Sequence, residues 1–163
     1  DALRDLPPKV RDIRAEYPKA LLLISAHWGE EYRLEPTKLM KDLAHALIDA
    51  GADAILGHHP HVLQPIELYN GSPIIYSMGN LIFDQAPLAR RQTALFEIDF
   101  GYRDQWTADG ITLHPFLIPN QEQGPRPATI GEANQYLPGL LQRTKKYNVT
   151  FQRTERGATW TSQ

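Results

Sequence analysis

Cysteine is absent from the 163 residues, which excludes a disulfide framework and thiolate chemistry. Long apolar runs are missing too. The longest candidates are short strand-like segments, far below the roughly 20 apolar residues needed to cross a bilayer as a helix. No signal-peptide pattern opens the chain. It starts at Asp1 and runs directly into a helix-like stretch, as expected of a processed chain or a fragment. A strong charge imbalance is also lacking: the formal net charge is −2, and no stripe of alternating basic and aromatic residues appears. The sequence therefore offers no support for a nucleic-acid module or a membrane-surface patch. Internal repeats and low-complexity tracts are absent.

What remains is an ordinary globular balance, 42% hydrophobic and 22% charged, at a length that suits one domain. Residues 6–17 read as a short helix, with Pro7 and Pro8 in a tolerant first turn and Pro18 as the stop. The run Leu21-Leu22-Leu23-Ile24-Ser25-Ala26 has the length and flanks of a buried parallel strand. Pro36 opens a second helix to about Ala50, with Leu39, Leu43 and Leu47, joined by Met40 and Ala44, forming an apolar stripe. Gly51 follows as a C-terminal cap, and 52–57 reads as a second buried strand. This is a β-α-β unit, which predicts parallel strands joined by a right-handed crossover.

Past that point the pattern turns antiparallel. Asn70-Gly71 between 62–69 and 73–78 is a hairpin signal. Residues 93–100 alternate, with Phe96, Ile98 and Phe100 on one face. Asp109-Gly110 reads as a turn, 111–118 as a strand and 121–129 as loop. A last helix is expected over 131–147, interrupted at Pro138, before a polar tail over 148–163.

The chemistry-bearing residues gather at one predicted edge. His27 lies just past the first strand of the β-α-β unit, and Gly57-His58-His59-Pro60-His61 closes the second. Ligand sites in open α/β sheets form at the C-terminal ends of their strands, so these two groups should meet. Neutral imidazole is the commonest metal ligand. In extended backbone His59 and His61 would project to the same side, with Pro60 stiffening the segment between them. The plain alternative is a polar surface loop that happens to be rich in histidine. For His27 alone, a packed or edge histidine is the commoner reading; its convergence with His59 and His61 is what favours a ligand. Glu30 and Glu31 fit either groups that orient an imidazole or a solvated pair. His58 points toward the substrate or into packing. Asn80 and Asp84 fit substrate or ligand-orienting roles, against the plainer reading of Asn80 as a turn residue beside Gly79. His45 reads as solvated surface, His114 as structural, and Arg90 with Arg91 as solvated loop charges rather than oxyanion forks.

The segments His27-Trp28-Gly29-Glu30-Glu31-Tyr32, Gly51-Ala52-Asp53, Gly57-His58-His59-Pro60-His61-Val62-Leu63-Gln64 and Tyr76-Ser77-Met78-Gly79-Asn80-Leu81-Ile82-Phe83-Asp84 resemble, in order and spacing, the bacterial CapA family of poly-γ-glutamate capsule biosynthesis proteins. The resemblance covers roughly 21–84. It implies an α/β fold, namely the C-terminal half of a calcineurin-like metallophosphoesterase αββα sandwich. That half spans about residues 1–120, with 121–163 as a further loop, helix and tail. It also implies His27, His59 and His61 as metal ligands, His58 and Asn80 as catalytic candidates, and two divalent ions, of Mn, Fe or Zn type. The family's first-half ligand motifs do not occur here. The partners implied are therefore the N-terminal half of the same protein and an acidic polymer or phosphoester substrate, with membrane association open through a region this sequence lacks. The reaction implied is metal-dependent hydrolysis. A non-catalytic scaffold or polymer-binding subunit, and a metal-dependent peptide epimerase, are the competing readings. The compartment, bacterial envelope or cytoplasm, stays open.

Overall fold

A computed structural model describes residues 1–83, 87–119 and 124–162; Asp84, one of the residues singled out above, lies outside them. Helix α1 (Ala2–Glu16) begins at an Asp1 cap, so Pro7 and Pro8 lie beyond the first turn, inside the helix. Strand β1 (Leu23–His27), helix α2 (Lys38–Asp49) and strand β2 (Ala54–His58) form the expected unit, with β1 and β2 parallel and in register from Leu23↔Ala54 to His27↔His58. Thr37 caps α2, its side chain accepting from the Met40 amide. The buried stripe of α2 is Met40, Leu43, Ala44, Leu47 and Ile48. Leu39, expected in that stripe, is 60% exposed, because the 3.6-residue period centres the stripe one position later.

Strands β3 (Ile66–Tyr69) and β4 (Ser72–Ile75) form the predicted hairpin, with Asn70 and Gly71 both at positive φ as a two-residue turn of this kind requires. The first sheet has the order β1-β2-β4-β3, so β1 is an edge strand. The expectation of a fully buried first strand is corrected accordingly: Leu23 is 46% exposed, since nothing described pairs with its outer side.

The short helix α3 (Leu88–Arg91) leads into β5 (Gln92–Tyr102) and β6 (Trp106–Leu117), a long antiparallel pair. Asp109-Gly110 is not the turn. Opposite Asp99 and Phe100 the register slips by one residue, placing a β-bulge at Asp109 inside β6, while the chain reverses at 103–105. Strand β7 (Arg126–Pro127) pairs with β6. Helix α4 (Ile130–Thr144) runs unbroken through Pro138 and ends in a 3-10 turn, Lys145–Tyr147. The tail is not irregular: β8 (Gln152–Thr154) and β9 (Gly157–Thr161) form a hairpin that adds to β6, giving the order β5-β6-β9-β8.

Two apolar cores stack the layers. One joins α1 and α2 to the first sheet through Val10, Leu43, Leu47, Ile55 and Ile74. The other lies between the sheets, where Ile66 and Ile75 meet Ala94, Ile111, Leu113 and Ala158, and α4 adds Leu137 and Leu140. The result is a mixed α/β arrangement consistent with part of a calcineurin-like sandwich. Leu95, Glu97 and Asp99 on β5 stay exposed, so among the described residues no outer helix layer covers that part of the second sheet.

Arg14 and Asp53 tie α1 to the sheet. The Asp53 carboxylate accepts from the Leu22 amide at 2.7 Å and from Arg14, whose guanidinium also donates to the carbonyls of Gly51 and Ala20. This junction fixes where β1 starts and therefore where His27 emerges.

Candidate metal centre

Parallel pairing brings the ends of β1 and β2 side by side, with His27 opposite His58. Beyond them, two loops are stitched together by backbone: Trp28 N–H donates to the His58 carbonyl at 3.2 Å, and Tyr32 N–H to the Pro60 carbonyl at 2.8 Å. Gly57 lets β2 approach the next chain, because a Cβ there would sit 2.0 Å from the Tyr76 carbonyl oxygen. Gly29, at φ +87°, turns the first loop against Met40, whose sulfur would lie 2.6 Å from an added Cβ.

The path through the histidines differs from the extended one expected. His59 and His61 have φ of 99° and 59°, a conformation that non-glycine residues adopt rarely and mostly where surrounding structure enforces it. The same side is reached by a tight left-handed turn about the buried Pro60. The ring centroids of His59 and His61 are 6.0 Å apart, and that of His27 is 4.6 Å from His59.

Ligand atoms of Glu31, His59 and His61 all lie within 4.8 Å of one another, the one such group among the described residues. A divalent ion with bonds of about 2.0–2.2 Å wants neighbouring donors about 3.3–3.6 Å apart. The Glu31 carboxylate is already 3.9 Å from His61 Nε2, so a modest side-chain closure suffices. Two imidazoles and a carboxylate suit borderline ions such as Zn, Fe or Mn. The residues present therefore fit a metal, as a three-donor set with the His27 ring tilted against that of His59.

Asn80, 5% exposed, supplies a second feature of a metal site. Its Oδ1 accepts from His61 Nδ1 at 2.7 Å, and its Nδ2 donates to the Arg90 carbonyl at 2.8 Å. Holding the proton on Nδ1 leaves the Nε2 lone pair directed at Glu31 and the prospective ion. Aromatic groups wall the site. Trp28 Nε1 donates to the Tyr76 carbonyl at 3.0 Å, Phe83 lies 4.7 Å from the His61 ring and Tyr32 6.0 Å from it.

The structure thus brings together His59, His61 and Asn80, sets His27 against His59, and leaves His58 half-buried on β2 outside the donor triad. Glu31 enters as a donor where the sequence offered only an orienting or solvated role. Its partner Glu30 pairs instead with Arg33 at 2.9 Å. Gln64, quoted only as part of a motif, is fully buried and donates to the carbonyls of Arg33 and Glu35, pinning the loop that carries Glu31. His45 is not solvated surface: it stacks on Tyr69 at 4.0 Å and bonds Glu67 at 3.0 Å. Glu67 also accepts from the Tyr76 hydroxyl, and burial together with that carboxylate pushes the phenol's pKa far up. His114 pairs with Glu97 across β5 and β6. His45 and His114 both stand outside the donor triad.

Comparison with known proteins adds an independent line. A family model described as bacterial capsule synthesis protein PGA_cap matches residues 2–85. The chain is similar to a capsule biosynthesis protein CapA of Bacillus anthracis, 38% identical over 140 residues, covering 86% of this chain and 31% of that protein. It is 51% identical over 77 residues to a PGA biosynthesis protein CapA of Bacillus subtilis, covering 47% and 20%. A probable polyglutamine synthesis accessory protein of Mycobacterium tuberculosis is 33% identical over 85 residues, covering 52% and 22%. The chain spans less than a third of the length of these relatives.

Proposed function

The chain belongs to the bacterial capsule synthesis protein PGA_cap family, and from that premise we propose that it carries part of a divalent-metal hydrolase site serving capsule-polymer biosynthesis. The observation that carries this reading is the convergence of Glu31, His59 and His61 with the His61–Asn80 hydrogen bond behind them. A divalent ion bound there would polarise a phosphoryl or carbonyl oxygen and acidify a water. The chain's own residues supply the rest. Asn80 fixes the His61 tautomer, Gln64 and the Tyr32–Pro60 contact hold the Glu31 loop against the histidine turn, and Tyr32 and Phe83 flank the His61 ring. His27, its ring centroid 4.6 Å from that of His59, is a further imidazole beside the donors, and His58 is its partner in register on β2.

The relatives' names point to a capsule polymer as the material handled, and a γ-glutamyl chain or a phosphoester fits a centre that attracts oxyanions. A full dinuclear site needs more donors than these. The outer edge of β1, unpaired among the described residues and with Leu21 and Leu23 exposed beside it, supports a further segment, the remainder of a longer polypeptide, docking there and adding ligands. The scaffold reading, a polymer-binding subunit without turnover, predicts the same docking but no chemistry. The discriminating experiment is hydrolysis of a phosphodiester probe and of γ-linked glutamate oligomers by the full-length polypeptide carrying this sequence. Chelator-sensitive turnover lost in His61→Ala is expected. Binding of the oligomers with no turnover at any metal loading would favour the scaffold.

A further inference from the structure

A second concave site lies at the opposite end of the first sheet from the histidines. This cavity, about 440 Å³, opens where α2 ends and where the β3–β4 and β5–β6 hairpins turn. Its size suits a small molecule. The lining is acidic: Asp49, Asp53 and Asp104 stand against the single cation Arg14, a net charge of −2. Asp53 is committed to Arg14 and to the Leu22 amide. Asp49 accepts from the Tyr69 hydroxyl on one oxygen and from Asn70 Nδ2 on the other, both at 3.2 Å, and each oxygen keeps a further lone pair. The Asp104 carboxylate has no partner among the described residues.

Two features besides charge point to a ligand. Ser72, only 6% exposed, lines the cavity, and its hydroxyl bonds to no described residue. A shielded hydroxyl without a partner destabilises the fold, and a bound donor would relieve that. Tyr102 and Trp106 pair across the ends of β5 and β6, with Asp104 in the turn between them. Their ring centroids are 5.1 Å apart and the planes are tilted by 60°. The Trp106 ring is fixed in place, because its Nε1 donates to the Lys19 carbonyl at 3.0 Å. Aromatic faces attract cations. Asp49 is also the last residue of α2, where the unpaired helix carbonyls add partial negative charge.

We propose that this cavity binds a primary alkylammonium group. An ammonium carries three donors and no acceptor. The carboxylates of Asp104 and Asp49 and the Ser72 hydroxyl oxygen are the acceptors that the cavity offers it, while the Tyr102 and Trp106 rings flank the charged head and its methylene stem. An anion would be repelled by the lining, and a neutral ligand would leave its charge uncompensated. The cavity shares no residue with Glu31, His59 and His61, so the inference stands apart from the metal reading. The same ammonium chemistry is presented by a free amine and by a lysine side chain.

The test uses the full-length polypeptide carrying this sequence, metal-free, as wild type, Asp104→Asn, Ser72→Ala and Trp106→Leu. The probes are putrescine for a free amine, N-acetyl-lysine methylamide for a lysine side chain and butanediol as an uncharged control, followed by calorimetry or NMR titration. Wild type should bind at least one amine and not the diol. Asp104→Asn should weaken that amine by about 3- to 10-fold, the loss of one charge-assisted contact at an exposed carboxylate. Trp106→Leu should weaken it by about 2- to 30-fold. Ser72→Ala should weaken it by about 2- to 10-fold while the urea midpoint stays at or above that of wild type, because the hydroxyl bonds to nothing in the free fold. Binding of putrescine alone assigns a free amine, and binding of the lysine derivative alone assigns a lysine side chain. No binding of either amine by wild type, diol binding as tight as amine binding, or unchanged amine affinity in folded Asp104→Asn and Ser72→Ala proteins would overturn the inference.

Discussion

Removing the oxygen that Asn80 offers His61 should weaken metal binding without unmaking the fold. The contact is short, 2.7 Å between Nδ1 and Oδ1, and both side chains are largely shielded from water. Groups that orient a ligating histidine through its second nitrogen typically contribute 10- to 100-fold in affinity, which is about 1.4–2.8 kcal/mol. Asn80→Leu deletes both the acceptor and the Nδ2 donor to Arg90. Asn80→Asp keeps an acceptor for His61, loses the donor to the Arg90 carbonyl and adds a negative charge that favours a cation at the site. Competition between a chromophoric chelator and the protein for Zn²⁺ would measure both. The expected order is wild type and Asn80→Asp close together, with Asn80→Leu weaker by 10- to 100-fold. Equal affinity in wild type and Asn80→Leu would refute the claim that this hydrogen bond sets the His61 tautomer. An Asn80→Asp protein as weak as Asn80→Leu would show that the Arg90 carbonyl contact, not the imidazole contact, is what matters.

Asp53→Ala should cost about 2–4 kcal/mol in urea unfolding, because it strands the Leu22 amide and leaves Arg14 without its carboxylate at a junction that is mostly buried; a loss below about 0.5 kcal/mol would show that the junction is redundant. Gly57→Ala should destabilise by about 3 kcal/mol or more, since β2 must retreat from the Tyr76 carbonyl, and metal affinity should fall with it as the histidine turn shifts. The Arg126 guanidinium, with the Thr129 amide, holds the Glu132 carboxyl down to about 2, below its usual 4.5. A depressed folded pKa stabilises above the unfolded value and loses that contribution as pH falls through the folded one. Glu132→Gln should therefore be less stable than wild type at neutral pH, with the gap closing between pH 4.5 and 2; a gap that does not change with pH would argue against the ion pair.

The β-α-β unit was legible because two independent signals coincide there, an amphipathic period in α2 and short apolar runs on either side of it. From parallel pairing alone it followed that His27 and the 58–61 segment would meet. The turn that presents His59 and His61 was not legible, because positive φ at two histidines is imposed by neighbours such as Pro60 and Tyr32 rather than by local preference. Glu31 as a donor was hidden for the same reason: its place depends on Gln64 anchoring a loop some 30 residues earlier in the chain. Asp109-Gly110 carries a turn composition, yet cross-strand pairing with Asp99 absorbs it as a bulge. The polar tail concealed a hairpin because only Val149, Phe151, Ala158 and the partly buried Trp160 pack on the core, too few to show a period.

Metal binding by His59 and His61 is tested by the metal content of the full-length polypeptide carrying this sequence, by elemental analysis after exhaustive dialysis, against His59→Ala. At least one Mn, Fe or Zn per chain, lost in His59→Ala but retained in a His114→Ala control, is the predicted result. A folded wild-type protein that holds no stoichiometric metal, or a His59→Ala protein that keeps its full complement, would contradict it.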